Sequence, residues 1–439
     1  MKRAFVFIVT ALMIFTLGGC AAILDGETLH VTHHPGTTVS QTPDSGVEAV
    51  DYESLKAAIL SFVKDYETAG LISIYTYDGD VDSDVQKACD EIKNIEPIGV
   101  YALASLEGKT TKIVSYYEVE LATSYKRTRA QMDSIVTAST LRYLKSEILN
   151  FIGDYASEAV IRTGISGITP ESVEGFVREL YYQNPLSVVM MPGTAVEFFP
   201  PDGGDRIIEL TFGNWVAADL LESYNDSLHR AASIMVKQAT GENDAEILRS
   251  LCEMLMAACE YDEAGAVLIA EYGTQNFSAT ACGALVNGSA VGEGYAMAYK
   301  ALCDELGIEC TVVLGKLGDM LHAWNVVTLD GYYYHVDSSA CDRIDFYAGF
   351  LKSDEQLAEA GYSWDKLATR ICGGPFSEIK EEDPPENPDE EGEGEDPVEG
   401  EDGEGESTGE GEGENSNENA PVDGEIDETS NPEDGTETT

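Results

Sequence analysis

The sequence predicts an α+β fold: two repeated small α+β units, a third α+β domain after them, and an acidic C-terminal tail expected to be disordered. Three observations carry this. The pattern Leu55-Lys56-x-x-Ile59-Leu60-x-Phe62-Val63-x-Asp65-Tyr66 returns 89 residues later as Leu144-Lys145-x-x-Ile148-Leu149-x-Phe151-Ile152-x-Asp154-Tyr155, a turn-by-turn helical match that chance explains poorly. Further on, Tyr295, Ala298, Tyr299, Leu302 and Leu306 recur at helical spacing and are followed by strand-like runs. Finally, residues 381–439 hold 26 of the 80 acidic residues and no Lys, Arg or aromatic. With Val398, Ala420, Val422 and Ile426 as its apolar members, that segment has too little surface to bury to offset its ordering entropy.

From the N-terminus, Lys2 and Arg3 precede an apolar run over 4–17 that is short for a membrane span and fits a signal peptide. The run ends in Leu17-Gly18-Gly19-Cys20, which resembles the bacterial lipobox. That resemblance implies a diacylated Cys20 as the new N-terminus, so residues 1–20 are expected to be a lipoprotein signal peptide and Cys20 a membrane anchor. Residues 21–48, rich in Thr, Pro and Gly, read as a tether. The body is then expected on the extracytoplasmic face of the cell membrane. The formal charge of −54 excludes nucleic acid as the default partner, because a phosphate backbone is held by Lys and Arg.

The repeat divides the first half into units at 49–138 and 139–240. Each has a helix, a short apolar stretch (71–77; 159–163), a second helix (about 82–93; about 170–181) and a later β-rich run (112–121; 206–211). Asp78, Asp80, Asp82 and Asp84 alternate like the start of a calcium loop, but such a loop needs Gly at its sixth position and Glu at its twelfth, where Ser83 and Cys89 stand. The second copy has Thr169-Pro170-Glu171-Ser172 there, a capped helix start, so capping is the preferred reading of both. Besides Cys20 there are eight cysteines, at 89, 252, 259, 282, 303, 310, 341 and 372. Buried free thiols are slightly preferred over disulfides, and the sequence leaves the pairing open.

The third domain is assigned to 241–375 and the tail to 376–439. The helix beginning near 292 is stopped by Gly307, and 309–314 reads as a strand. Residues 324–329 and 332–338 read as a hairpin around Asp330-Gly331. Pairing Leu329 with Tyr332 sets Trp324 against Asp337 and His322 against Ser339, so His322 and Asp337 fall on one face as diagonal neighbours, about 7 to 8 Å apart at the backbone.

Tyr261-Asp262, Gly283-Ala284-Leu285-Val286-Asn287-Gly288, Val291-Gly292-Glu293-Gly294-Tyr295-Ala296, Leu306-Gly307-Ile308-Glu309-Cys310, His322-Ala323-Trp324-Asn325 and Tyr334-His335-Val336-Asp337-Ser338 together resemble the transglutaminase-like superfamily, whose fold is related to papain-like cysteine proteases. The resemblance implies a Cys nucleophile opening a helix, a His on the following strand pair and an Asp on the partner strand. Here His322 and Asp337 match, but the family's Val-Cys-x-Gly-Tyr-Ala reads Val291-Gly292-Glu293-Gly294-Tyr295-Ala296. Glycine has no side chain to attack an amide, so the acyl-enzyme route is closed. The chain is therefore expected to be a pseudoenzyme with triad remnants His322 and Asp337, binding protein or cell-wall peptide through the inherited cleft, with Trp324, Tyr295 and His335 as its binding residues, or through the repeat units. A structural role stays open beside this, with Trp324 packing the core, the His322–Asp337 pair satisfying itself, and a hydrogen-bonded structural His335 preferred. The rival is a cysteine-type amide hydrolase or acyltransferase with a relocated thiol at Cys282; Ser289 is the other substitute weighed. A metal site of His322, His335 and Asp337 is less economical than a retained triad remnant, and no metal or cofactor is expected.

Overall fold

The computed structural model describes residues 49–273 and 276–378; residues 1–48, where a signal peptide, an anchoring Cys20 and a tether are expected, and residues 379–439 of the expected tail lie outside the described residues. The described chain is a mixture of helices and strands in which the repeat is carried down to the backbone.

In the first unit, α1 (Tyr52–Lys64) starts at Asp51, whose carboxylate accepts from the Ser54 amide at 2.9 Å, and buries the expected stripe of Leu55, Ala58, Ile59 and Val63. It leads through β1 (Ala69–Ile74) to α2 (Val81–Asn94), the short α3 (Pro97–Ala102) and the hairpin of β2 (Leu103–Ile113) and β3 (Tyr116–Tyr125). The run 112–121 thus crosses a hairpin turn rather than forming one strand. After the short α4 (Arg129–Asp133) and β4 (Val136–Thr137), the second unit repeats the order: α5 (Leu141–Gly153), β5 (Glu158–Thr163), α6 (Pro170–Gln183), β6 (Gly193–Phe199) and β7 (Arg206–Gly213).

The sheets run β1-β3-β2 and β4-β5-β7-β6, so in each unit the last strand of the hairpin sits between the first strand and its hairpin partner. Both first helices end on a tyrosine in the left-handed region, Tyr66 at φ 60° and Tyr155 at φ 52°. In each, the tyrosine amide returns to a carbonyl three residues back, Val63 or Ile152. The Asp-Tyr pair of the repeated pattern is therefore a helix stop used twice. Asp80 caps α2 through the Ser83 amide and Asp84 accepts from the Tyr77 hydroxyl at 2.9 Å, while Thr169 caps α6. Two of the four alternating aspartates, Asp80 and Asp84, thus serve local structure.

The third region opens with α7 (Ala218–Val236) and α8 (Asp244–Ala258). Next come β8 (Glu260–Tyr261), α9 (Glu263–Tyr272), α10 (Ala281–Leu285), β9 (Ser289–Ala290) and α11 (Gly292–Leu306). Then β10 (Cys310–Leu317), β11 (Met320–Leu329) and β12 (Tyr332–Val336) are followed by α12 (Ser338–Arg343), α13 (Phe346–Gly349), α14 (Asp354–Glu359) and β13 (Tyr362–Trp364). The antiparallel sheet is ordered β12-β11-β10-β13. Its hairpin has the register Leu329 to Tyr332 and Asn325 to Val336. α11 is the central helix, with every residue from Gly294 to Cys303 buried against α7, α8 and the sheet. A 3-10 turn, Pro375–Glu378, carries the chain past residue 375 and sets the Phe376 ring 6.0 Å from that of Tyr334.

The second unit and the third region share a core in which Leu221 and Leu228 of α7 cluster with Met297, Ala301 and Ala323. Gln183 at the end of α6 pairs with the β10 backbone like a strand: its amide nitrogen donates to the Val312 carbonyl at 2.9 Å and its oxygen accepts from the Val312 amide at 3.2 Å.

Candidate functional site

The site forms where the first turn of α11 meets the end of the sheet. Val291 is the N-cap and makes no side-chain capping bond; Gly292 is the first helical residue. Gly294 has to be glycine, because a Cβ there would run into the Ser278 carbonyl oxygen. At Gly292 the neighbour is different. A Cβ would stand 2.6 Å from His322 Cε1, 2.9 Å from its Nδ1 and 3.3 Å from Ser339 Oγ. The imidazole thus lies against the helix start, in space a side chain at 292 would need.

His322 is held there by its other nitrogen. Nε2 is 2.6 Å from Asp337 Oδ2, which also accepts from the Tyr362 hydroxyl at 2.7 Å. The second carboxylate oxygen accepts from Ser339 Oγ at 2.7 Å and from the amides of Ser339 and Ala340 at 3.0 Å each. Burial works to raise the Asp337 pKa, but the bonds from His322, Tyr362 and Ser339 outweigh it and hold the group below its ordinary value. The diagonal strand pairing expected for His322 and Asp337 is not how they meet. β12 stops at Val336 and Asp337 turns out of the sheet to N-cap α12, while His322 lies opposite Gly315 of β10.

Trp324, Tyr295 and His335, expected as binding residues of the inherited cleft, are all three wholly buried and belong to the core instead. The Tyr295 hydroxyl lies 2.9 Å from the Cys259 carbonyl and 2.6 Å from Asp342 Oδ2. Trp324 donates its indole N–H to His335 Nδ1 at 3.0 Å, and His335 Nε2 is 3.0 Å from Asp354 Oδ1. Apart from this link through Trp324, the two histidines sit in separate networks, each with its own aspartate.

His335, Asp354 and Cys372 converge, their ligand atoms all lying within 4.8 Å of one another. The tautomer argues against a metal there. An indole can only donate, so His335 Nδ1 accepts, the proton of the neutral ring is on Nε2, and the lone pair a metal needs is absent. Asp354 is already engaged by that Nε2–H and by the Cys372 amide at 3.1 Å.

Burial lowers the His335 pKa, partly opposed by Asp354. The unfolded chain therefore takes up this proton first, and the stability that His335 contributes is complete above its ordinary pKa of about 6.5 and declines below it. The slope of Tm against pH between 6.5 and 5 should flatten in His335→Gln.

The substitutes for the missing thiol are poorly placed. Cys282 is wholly buried in α10, its Sγ 3.6 Å from the Tyr224 carbonyl oxygen, and burial pushes the thiol up to about 12, the opposite of what a nucleophile needs. Ser289 lies in β9. Ser339, which the sequence reading passed over, is nearest to the vacated position, but its hydroxyl is bonded to Asp337. Tyr362 was also missed; it follows Asp337 by 25 residues and has no local signature.

Residues 231–338 match the family model described as the transglutaminase-like superfamily, so the chain carries a transglutaminase-like domain. Among solved structures, it resembles one described as a TGase, at 12% identity and TM-score 0.25 over 50% of this chain and 60% of that one. It also resembles a candidate cysteine protease from Cytophaga hutchinsonii, at 16% identity and TM-score 0.22 over 36% and 65%. A third is a candidate protease from Parabacteroides distasonis, at 8% identity and TM-score 0.18 over 61% and 40%. The chain thus spans less than two thirds of each of these structures. No curated protein matches it.

Proposed function

We propose that this is a cell-surface lipoprotein whose transglutaminase-like domain binds a protein or cell-wall peptide and does not turn it over. The observation that carries the reading is Gly292: the helix start has no nucleophile, and the imidazole that would serve it lies in the nucleophile's space. An anchored binder also suits the lipobox-like sequence ending at Cys20.

With the His322 side chain only 13% exposed, the binding surface is better sought elsewhere. A cleft of about 840 Å³ lies between α6, β10 and the 365–370 loop, walled by Arg178, Gln183, Tyr333 and Arg370. Its acidic neighbours have local partners. Glu179 pairs with Lys145 at 2.6 Å, Glu309 accepts from the Thr328 hydroxyl at 3.0 Å, and Asp365 accepts from the Leu367 amide at 2.9 Å. Of these acids only Glu179 has a cationic partner; the groups on the wall able to pair with a carboxylate-bearing peptide are the guanidinium groups of Arg178 and Arg370.

The test is one purified chain and two readouts. Amide hydrolysis and acyl transfer should stay at background in the natural chain and in His322→Ala. Retention on immobilised cell-wall peptide should survive His322→Ala and be lost in Arg178→Ala/Arg370→Ala. Turnover that disappears with His322 overturns the pseudoenzyme reading.

A further inference from the structure

The edge of the third region's sheet has a gap in its main-chain pairing. In an antiparallel sheet, successive residues of a strand bond alternately to its two sides. In β10 the odd positions bond β11, as the Glu309 carbonyl before it does in accepting from the Thr328 amide at 2.9 Å. The even positions face outward, and Val312 there is bonded by the Gln183 side chain. At the other end β13 covers the same outer edge, with Ser363 opposite Lys316 and the Gly318 amide on the Gly361 carbonyl at 3.0 Å.

Leu314 stands between these two. It lies opposite Ala323 of β11, so its N–H and C=O also point outward. Continuing β13 would set Asp365 against it, but the chain turns there, and the Asp365 carbonyl accepts from the Ala368 amide at 3.1 Å. Among the described residues no main-chain or side-chain group bonds Leu314 on that edge.

The gap opens into the cleft of about 840 Å³, which Gln183, Val312 and Leu314 help to line. Apolar surface lies beside it: Leu314 is 45% exposed, and Leu367 on the 365–370 loop 98%. The cations of the cleft wall, Arg178 and Arg370, have no carboxylate partner among the described residues. From Val312 to Lys316 the strand covers about 13 Å, room for one paired residue and parts of its two neighbours.

Resting on the reading that this cleft holds a carboxylate-bearing peptide, we infer that the peptide is held by its main chain at Leu314. One extended residue of the ligand donates its N–H to the Leu314 carbonyl and accepts the Leu314 N–H. It thereby joins Gln183 and Ser363 in a row along the β10 edge. A ligand carboxylate pairs with Arg178 or Arg370, and an apolar ligand side chain covers Leu314 and Leu367. Such a site asks for an extended backbone, one acid and one apolar group, and little else of the ligand's sequence.

Site-resolved hydrogen exchange of the full chain, with and without soluble cell-wall peptide, tests this. In the free chain the Leu314 amide should exchange about tenfold or more faster than those of Val312 and Val313. The peptide should slow Leu314 by a similar factor and leave Val313, which bonds β11, unchanged. On the ligand side, N-methylation of one main-chain amide should weaken retention by roughly fivefold to tenfold, the value of one hydrogen bond. Retention that needs Arg178 and Arg370 but leaves the Leu314 amide as fast as before overturns the main-chain pairing and keeps the peptide-binding reading. Equal retention of every N-methylated peptide does the same. Absence of retention overturns both. A Leu314 amide that slows with rising protein concentration and no peptide gives the edge to a second copy of the chain, which also overturns the inference.

Discussion

Asp337→Ala should lower the stability of the chain by about 3 to 5 kcal/mol at neutral pH, the range for stranding partners of a buried charge. The carboxylate is 1% exposed and takes bonds from His322, Tyr362, the Ser339 hydroxyl and two amides of the α12 start. Alanine removes every acceptor at once and uncaps the helix, leaving a phenol and an imidazole facing a void. Asp337→Asn keeps the shape and one oxygen for the α12 amides, but turns an NH2 toward the Tyr362 hydroxyl and His322, so it should cost a smaller part of that amount.

The pH dependence has a definite sign. Because the folded Asp337 pKa is depressed, its contribution is complete above the ordinary carboxylate pKa, about 3.9, and is lost as pH falls through the folded value. Guanidinium midpoints at pH 7 and pH 3 read both claims. A change under 1 kcal/mol in the alanine variant at pH 7 would sink the account of a buried, fully used acceptor.

The sequence made some of this visible and hid the rest for identifiable reasons. The repeat was legible because its apolar stripe and its Asp-Tyr stop are local, and the structure uses both tyrosines in the same left-handed conformation. The hairpin register followed from Asp330-Gly331 and alternation, and it holds from Leu329–Tyr332 to Asn325–Val336. One residue further on, local logic failed. Asp337 leaves the strand because Ser339 and Ala340 offer amides at a helix start, a competition that alternation does not encode.

For Trp324 and His335 the sequence left a structural and a cleft-lining role open, and the burial of Trp324, Tyr295 and His335 favours the structural one. Around Trp324 and His335 the cover comes from α14 and β13, which supply Asp354, Tyr362 and Trp364 from beyond the recognised motifs, while Tyr295 is held by the Cys259 carbonyl and Asp342. The placement of Gln183 against β10 and of Arg178 in the cleft wall depends on long-range packing, for which one sequence has no register to offer.

Gly292→Cys is the substitution that separates a lost nucleophile from a rebuilt site. If only the sulfur were missing, a thiol at the first position of a 15-residue helix would gain a lowered pKa from the helix dipole and a ready base in His322. The geometry predicts otherwise. The new Cβ would meet His322 Cε1 at 2.6 Å, and the ring has little freedom to retreat. Its Nε2 is bonded to Asp337, it stacks with Trp324 at 6.1 Å between centroids, and Tyr362 stands edge-on at 5.7 Å. Making room requires breaking or bending the bond to Asp337, so the variant should be about 1 to 3 kcal/mol less stable, the usual cost of overpacking a filled site.

Removing the ring removes the conflict. Gly292→Cys/His322→Ala should therefore be more stable than the two single effects added together, by about 1 kcal/mol or more in a double-mutant cycle read from guanidinium unfolding. The same two proteins decide the chemistry. An electrophilic amide mimic should label Cys at 292 slowly, with little dependence on His322, because seating the new Cβ displaces the imidazole whose Nδ1 faces position 292 and loosens its bond to Asp337. Full stability in the single variant, together with labelling that collapses when His322 is removed, would mean that the cleft still holds a working Cys–His geometry and that inactivity rests on one missing sulfur.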